Sequence, residues 1–306
     1  MLKPLFKWTG GKNRMFKKYG ANFWPDREVN LFVDSFYGGG AVTHWAAEKY
    51  PNAEFIINDA NTELVNLYKQ LRDNTEAFCD AVQKMEEDYL KVPADDKLSR
   101  KKFYNKYKML YIDWVHESPR DHTVDEFATL YFLMKTSFNG WWKVYNYSKG
   151  RYSTPPGTVH HTKPFIDYDL LKDTAHFFRE RVRDIFNKDF QTVLPKTDLE
   201  TTYFYFDPPY RDSSTIYTDD GFDDNDQIRL CEFMQYLSTH NAMVSMSNKE
   251  IGDGFWRHHL GNMETLVYDV KYTAGRGTTV NNVCEVLIRN FETEKVGLES
   301  LFNETN

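Results

Sequence analysis

Residues 31–59 read LFVDSFYGGGAVTHWAAEKYPNAEFIIND, and the fold class follows from this stretch. An apolar run, LFVDSF (31–36), stops at three glycines. AVTHWAAEKY follows with apolar residues at helical spacing, and a second apolar run, EFIIND (54–59), closes the unit. Strand, glycine turn, helix and strand together imply parallel neighbours joined by a right-handed crossover, the building block of a doubly wound α/β sheet. Strand-like runs recur at FQTVL (190–194), YFYFD (203–207), AMVSMSN (242–248), TLVYDVKY (265–272) and EVLIRNF (285–291), which makes seven strands in one sheet. TELVNLYKQLRD, DLLKDTAHFFRERVRDIF and DQIRLCEFMQYLSTH supply crossover helices. The last two strands have only TAGRGTTVNNVC between them and should form an antiparallel hairpin at one side of the sheet.

The alternation breaks between Leu64 and Asp167. Helical patterns dominate there (LSRKKFYNKYKMLYIDWVHE, VDEFATLYFLMK), and SFNGWWKVYNYSKGRYSTPPGTVHHTKPF then reads as a hairpin with long loops. A chain of 306 residues, 41% hydrophobic, can hold one core domain with such an insertion. The N-terminal MLKPLFKWTGGKNRMFKKYG is basic without an apolar stretch, and no run reaches the length of a membrane span, so a cytoplasmic protein is expected. Cys79, Cys231 and Cys284 are few, odd in number and far apart, which fits reduced, buried thiols. The pairs His160-His161 and His258-His259 are read as surface residues, and no metal is expected. A net charge of -7 argues against polyanion binding, but its distribution does not. Lys135, Lys143, Lys149, Arg151 and Lys163 fall in a stretch, Lys135 to Phe165, that contains no Asp or Glu and can face nucleic acid.

Ligands of open α/β sheets bind beyond the carboxyl ends of the strands, where the strand order reverses. Gly38, Gly39 and Gly40 lie at one such end, where missing side chains let backbone N–H groups approach a ligand. Asp59, at the end of the second strand, either accepts both hydroxyls of a ribose or caps the next helix. The register excludes a dinucleotide fingerprint, because Thr43 stands where its last glycine or alanine belongs. WTGGKN is no phosphate loop either: Phe6 replaces the early glycine, and no Ser or Thr follows Lys12. At the end of YFYFD, Asp207 presents a carboxylate, while Pro208 and Pro209 stiffen the turn and leave carbonyls that only accept. An exocyclic amine suits that cluster. Its two N–H groups can bond the Asp207 carboxylate and the Pro208 carbonyl while Tyr210 stacks on the ring and the nitrogen lone pair turns toward an electrophile; the motif alone equally fits a proline-terminated strand with a solvent acid and a core tyrosine.

KWTGGK, DSFYGGGAV, INDAN, FNGWWKVYN, FDPPY and GRGTTVNNVCEVLIRNF occur in an order that resembles the Dam-type DNA adenine-N6 methyltransferases of the alpha group. The resemblance spans nearly the whole chain. It implies an α/β, class I methyltransferase-like (Rossmann-like) mixed seven-stranded sheet, with residues 1–63 and 168–291 as the catalytic domain. Residues 64–167 would be an inserted, mainly helical DNA target-recognition domain carrying a β-hairpin, and 292–306 a C-terminal tail. It further implies S-adenosyl-L-methionine as methyl donor, S-adenosyl-L-homocysteine as product, double-stranded DNA as partner, and a bacterial cell or phage-infected host. By position, Trp8, Lys12, Phe36, Gly38 to Gly40, Asp59, Asp189, Phe190 and Asp207 would hold the cofactor, with Lys12 near its carboxylate. Asp207, Pro208, Pro209 and Tyr210 would be the catalytic set acting on a flipped adenine. Lys7, Phe138, Asn139, Trp141, Lys143, Lys149 and Arg151 would contact DNA, Phe138 as a wedge in the vacated stack and Asn139 on the orphaned base. Trp141 and Trp142 serve equally well as a small core of the insertion. Lys143 stands where the family grips guanine with arginine, and Val159 where it tends to have a tyrosine, so a GATC-like site is expected with altered contacts. Methylation of a cytosine N4 amine is the rival reaction, and a silent cofactor- or DNA-binding module the rival class. The intact Asp207 to Tyr210 tetrapeptide argues against the second.

Overall fold

The computed structural model describes residues 2–8, 12, 15–16, 19–140, 144–145, 151–152, 154–157, 161–212, 221–273 and 280–293. Side chains are described for all of these except 139, 144–145, 151–152, 269–273 and 280–283. The sheet is built from β1 (Leu31–Asp34), β2 (Glu54–Asn58), β5 (Val182–Phe186), β6 (Thr202–Phe206), β7 (Met243–Lys249), β8 (Glu264–Thr273) and β9 (Val280–Arg289), while β3 (Val144–Tyr145) and β4 (Arg151–Tyr152) form a separate antiparallel pair. Its order is β5-β2-β1-β6-β7-β9-β8. The first five strands run parallel and β9 runs against both β7 and β8, giving the mixed seven-stranded sheet of the class I methyltransferase plan.

Two apolar layers sandwich the sheet because its central strands alternate large residues on both faces. In β6, Tyr203 and Tyr205 face one layer and Phe204 and Phe206 the other. The tyrosine hydroxyls are buried but satisfied, Tyr203 on Ser245 at 2.6 Å and Tyr205 on Ser247 at 2.9 Å. On the tyrosine side lie α1 (Ala41–Lys49), α2 (Thr62–Asp73), α3 (Thr75–Lys91), α4 (Lys97–Val115), α5 (Val124–Thr136) and α6 (Tyr168–Glu180); on the phenylalanine side lie α7 (Asp224–Thr239) and α8 (Phe255–Leu260). Local sequence sets the helix starts. Asn61, Asp96, Thr123 and Asp167 each accept backbone N–H groups of the first turn, and Asp223 with Asp226 forms a capping box. Helix α5 is apolar all round, with Phe127 to Met134 buried, so it forms the centre of the helical layer.

Three expectations are corrected. The helix expected over DLLKDTAHFFRERVRDIF ends at Glu180, and its last five residues are strand β5. FQTVL is no strand: Asp189 accepts the Gln191 N–H and turns Phe190–Thr192 into a single 3₁₀ turn. Cys79 and Cys231 are buried as expected, but Cys284 on β9 is exposed. Of the histidine pairs, His160 lies outside the described residues, His161 stacks on Phe165 at 3.9 Å, and His258 is exposed as expected, with its ring 4.7 Å from that of the half-buried His259. The tail begins with a bridge between Thr293 and Pro25, and the rest of it lies outside the described residues. No helix among the described residues is long and apolar enough to cross a membrane.

Candidate active site

Strand order reverses between β1 and β6, since the chain winds from β1 toward β2 on one side and from β6 toward β7 on the other. The expected residues stand at the carboxyl ends around that point. The glycine turn is a tight junction. Gly38 and Gly40 have φ of 49° and 74°, and a Cβ on Gly38 would lie 2.5 Å from Trp8 Nε1. Trp8 therefore packs directly on the turn. Two of its N–H groups are taken up within the chain. Gly38 N–H donates to Asp59 Oδ2 at 2.7 Å and Gly40 N–H to the Tyr37 carbonyl at 2.7 Å, while Tyr68 Oη donates to the Gly38 carbonyl at 2.5 Å. Asp59 thus braces the turn, and Asn61, not Asp59, caps α2.

A second group forms the catalytic end. Lys12 is 3% exposed, and its Nζ lies 2.7 Å from Asp207 Oδ2 and 4.8 Å from the centre of the Tyr210 ring. The resemblance places this lysine near a cofactor carboxylate, and in the structure it pairs with Asp207. Burial raises the Asp207 carboxyl to about 6, against the pull of Lys12 in the other direction. Tyr210 Oη donates to buried Glu285 at 3.3 Å. Close by, Asp34 is raised by burial to about 7, although the Thr43 hydroxyl at 2.6 Å opposes the shift, and it feels the charges of both Asp207 and Asp59. Asp34 went unnoticed in the sequence. Its signal was an acid closing a strand that is otherwise buried at every position.

Phe36 and Phe190 meet at 5.5 Å, with Phe222 5.7 Å from Phe36 and 6.0 Å from Phe190. They form an aromatic wall at the same ends of the sheet. Asp189 is turned to Arg229 at 2.8 Å, so of this pair Phe190 is the one within the wall. Among the expected DNA contacts, Phe138 is 41% exposed for so large an apolar side chain, and its N–H donates to the Pro155 carbonyl at 2.9 Å. Lys7 is exposed and lies against Gly140, where an added Cβ would come 3.1 Å from Lys7 Cβ. Trp141, Trp142, Lys143, Lys149 and Val159, and the side chains of Asn139 and Arg151, lie outside the described residues.

A class I methyltransferase sheet with an Asp-Pro-Pro-Tyr turn at its reversal point defines an amine methyltransferase. Residues 8–272 match the D12 class N6 adenine-specific DNA methyltransferase family, and the chain belongs to it. It is similar to the type II methyltransferase M.MjaIII of Methanocaldococcus jannaschii, 30% identical over 95% of this chain and 99% of that protein. It is also similar to the type II methyltransferase M1.LlaDCHI of Lactococcus lactis subsp. cremoris, 28% identical over 81% of each chain, and to the type II methyltransferase M.CviBI of Paramecium bursaria Chlorella virus NC1A, 26% identical over 95% of this chain and 100% of that protein. The chain is an adenine-specific DNA methyltransferase.

Proposed function

We propose that the chain methylates the N6 amine of an adenine flipped out of double-stranded DNA, in a GATC-like site, with S-adenosyl-L-methionine as donor. The observation that carries this reading is the pairing of Asp207 with Lys12 above Tyr210: a partly exposed carboxylate already holds an N–H donor where the target amine would come. Asp207 and the Pro208 carbonyl accept the two N–H groups of the amine, and Tyr210 supports the ring. The bound cofactor supplies a methyl group on a sulfonium. The N6 lone pair forms the new N–C bond as the C–S bond breaks and sulfur keeps the electron pair; the proton released from nitrogen passes by way of Asp207, whose pKa near 6 suits a transient acceptor.

The cofactor residues fit a ligand without phosphate. A phosphate-binding turn keeps its N–H groups free for the anion, whereas Gly38 and Gly40 have spent theirs on Asp59 and Tyr37. Trp8 and the Phe36–Phe190 wall offer apolar surface, and each Asp59 oxygen retains a lone pair for a ribose hydroxyl. We assign residues 64–167 to target recognition, with Lys7, Phe138, Asn139, Trp141, Lys143, Lys149 and Arg151 toward DNA. Expression in cells lacking adenine methylation, followed by sequencing of modified bases, tests the reading. N6-methyladenine at one motif is expected, and its loss in Asp207→Ala with binding of S-adenosyl-L-homocysteine kept. Full methylation by Asp207→Ala would overturn the catalytic assignment.

A further inference from the structure

Tyr210 lies between two backbone groups that are both taken up by buried side chains. Gln227 Nε2 donates to the Pro209 carbonyl at 2.8 Å, Asn248 Nδ2 donates to Gln227 Oε1 at 3.1 Å, and the Arg211 N–H donates to Asn248 Oδ1 at 3.2 Å. The bonds run in one sense and close a ring through residues 209–211. Its sense is fixed at both ends, because a carbonyl only accepts and an N–H only donates; turning either amide round would break a bond to the backbone. Gln227 is 1% exposed and Asn248 0%, so a lost bond leaves a buried group unpaired. Gln227 stands on the same face of α7 as Leu230, Cys231 and Met234, and Asn248 stands near the end of β7, so the ring ties the catalytic turn to both elements. Arg211 adds a brace from its side chain, bonding Asp224 at 2.9 Å and Asp253 at 2.8 Å.

We infer that Gln227 and Asn248 are positioning residues for methyl transfer. The Pro209 carbonyl sets the peptide plane before Tyr210 and the Arg211 N–H sets the plane after it. Two planes about one Cα define its φ and ψ, and with them the direction of Cα–Cβ. The amide ring thereby fixes where the Tyr210 ring stands, and its hydroxyl on Glu285 holds the far end. This inference rests on the reading that Tyr210 receives the target base.

Breaking the ring at any bond should lower kcat and spare the cofactor site. Gln227→Met removes the donor to Pro209. Asn248→Asp keeps the acceptor for Arg211, but its carboxylate cannot donate to Gln227, so at neutral pH two oxygens face each other whichever way the Gln227 amide is turned. Each variant should lose kcat by about tenfold or more, the scale of one buried hydrogen bond. The double variant should lose little beyond either single one, because the ring is broken once. S-adenosyl-L-homocysteine affinity, read by calorimetry, should stay within about twofold, since neither amide reaches the glycine turn. Gln227→Glu separates positioning from mere stability: its neutral carboxyl donates to Pro209 and its carboxylate does not, so its activity relative to wild type at each pH should recover as pH falls. Full kcat in Gln227→Met, multiplicative losses in the double variant, equal losses in kcat and cofactor affinity, or a flat pH ratio for Gln227→Glu would overturn the proposal. Tyr210→Ala, assayed alongside, keeps the two readings apart. Full kcat there sinks the role of Tyr210 itself, whereas an inactive Tyr210→Ala beside a fully active Gln227→Met sinks only the ring.

Discussion

Burial and a neighbouring cation act in opposite directions on Asp207, and the balance leaves its carboxyl at about 6. To accept the N–H of an amine through a full negative charge, the group has to be ionised, so kcat/KM should fall as pH drops through about 6. Lys12 is the influence that lowers the value. Its removal in Lys12→Met leaves burial unopposed, and the midpoint of the acid limb should therefore move to higher pH. The pH profile of kcat/KM in both proteins checks this, and an unmoved midpoint would separate Lys12 from the titrating group. Asp34, at about 7, is the competing origin for such a limb. Thr43 opposes its rise, so a limb that moves upward in Thr43→Val belongs to Asp34, while one that moves only in Lys12→Met belongs to Asp207.

At the scale of elements, a buried charge cluster joins the helical layer. Arg120 bonds Glu63 of α2 at 2.7 and 2.8 Å, and it also bonds Glu126 of α5; Tyr111 of α4 donates to Glu63 as well. Glu63 and Glu126 are almost fully buried. Arg120→Met leaves two carboxylates without their cation, and stability should fall by about 3–5 kcal/mol in urea unfolding at neutral pH. The sign of the pH dependence follows. Burial already raises the Glu126 carboxyl against the opposing pull of Arg120, and loss of the guanidinium raises it further, so the deficit should shrink as pH falls and Glu126 protonates; a pH-independent deficit would argue for lost packing alone. The sequence carried these elements unevenly. TELVNLYKQLRD coincides with α2 because a cap and an apolar face agree there. Strand β5 was absorbed into the preceding helix because one residue separates them and buried Val182 and Ile185 continue the three-residue spacing of a helical face. In the site, Asp207 and Tyr210 were legible from a local motif. Lys12 as the partner of Asp207, and Gln227, Asn248 and Glu285 behind them, were not, since pairing across the chain leaves no periodicity. Gln227 left one trace, a polar residue at a core position of an amphipathic helix.

Across the whole molecule, the N-terminal segment connects regions that the sequence separates widely. Lys7 lies on Gly140 beside the Phe138 turn, Trp8 packs on Gly38 and Gly39, and Lys12 reaches Asp207. Lys135 at the end of α5 donates to the Leu5 carbonyl at 3.4 Å and fastens the start of this thread. The proposed wedge at Phe138 is thereby joined through a few residues to the carboxylate proposed to receive the displaced base. The exposure of Phe138 is the feature to test, because it leaves an apolar ring available to a partner outside the chain. Flipping costs a few kcal/mol, and a wedge helps only while that cost has to be met. Phe138→Ala should therefore slow methylation of a fully paired duplex by about tenfold or more, while a duplex in which the target adenine faces an abasic site, its unpairing already done, should be methylated at close to the wild-type rate. Fluorescence of 2-aminopurine at the target position reads the flipped population directly, and single-turnover methylation on the two duplexes reads its consequence. Equal losses on both would place Phe138 in general DNA affinity, with no part in opening the stack.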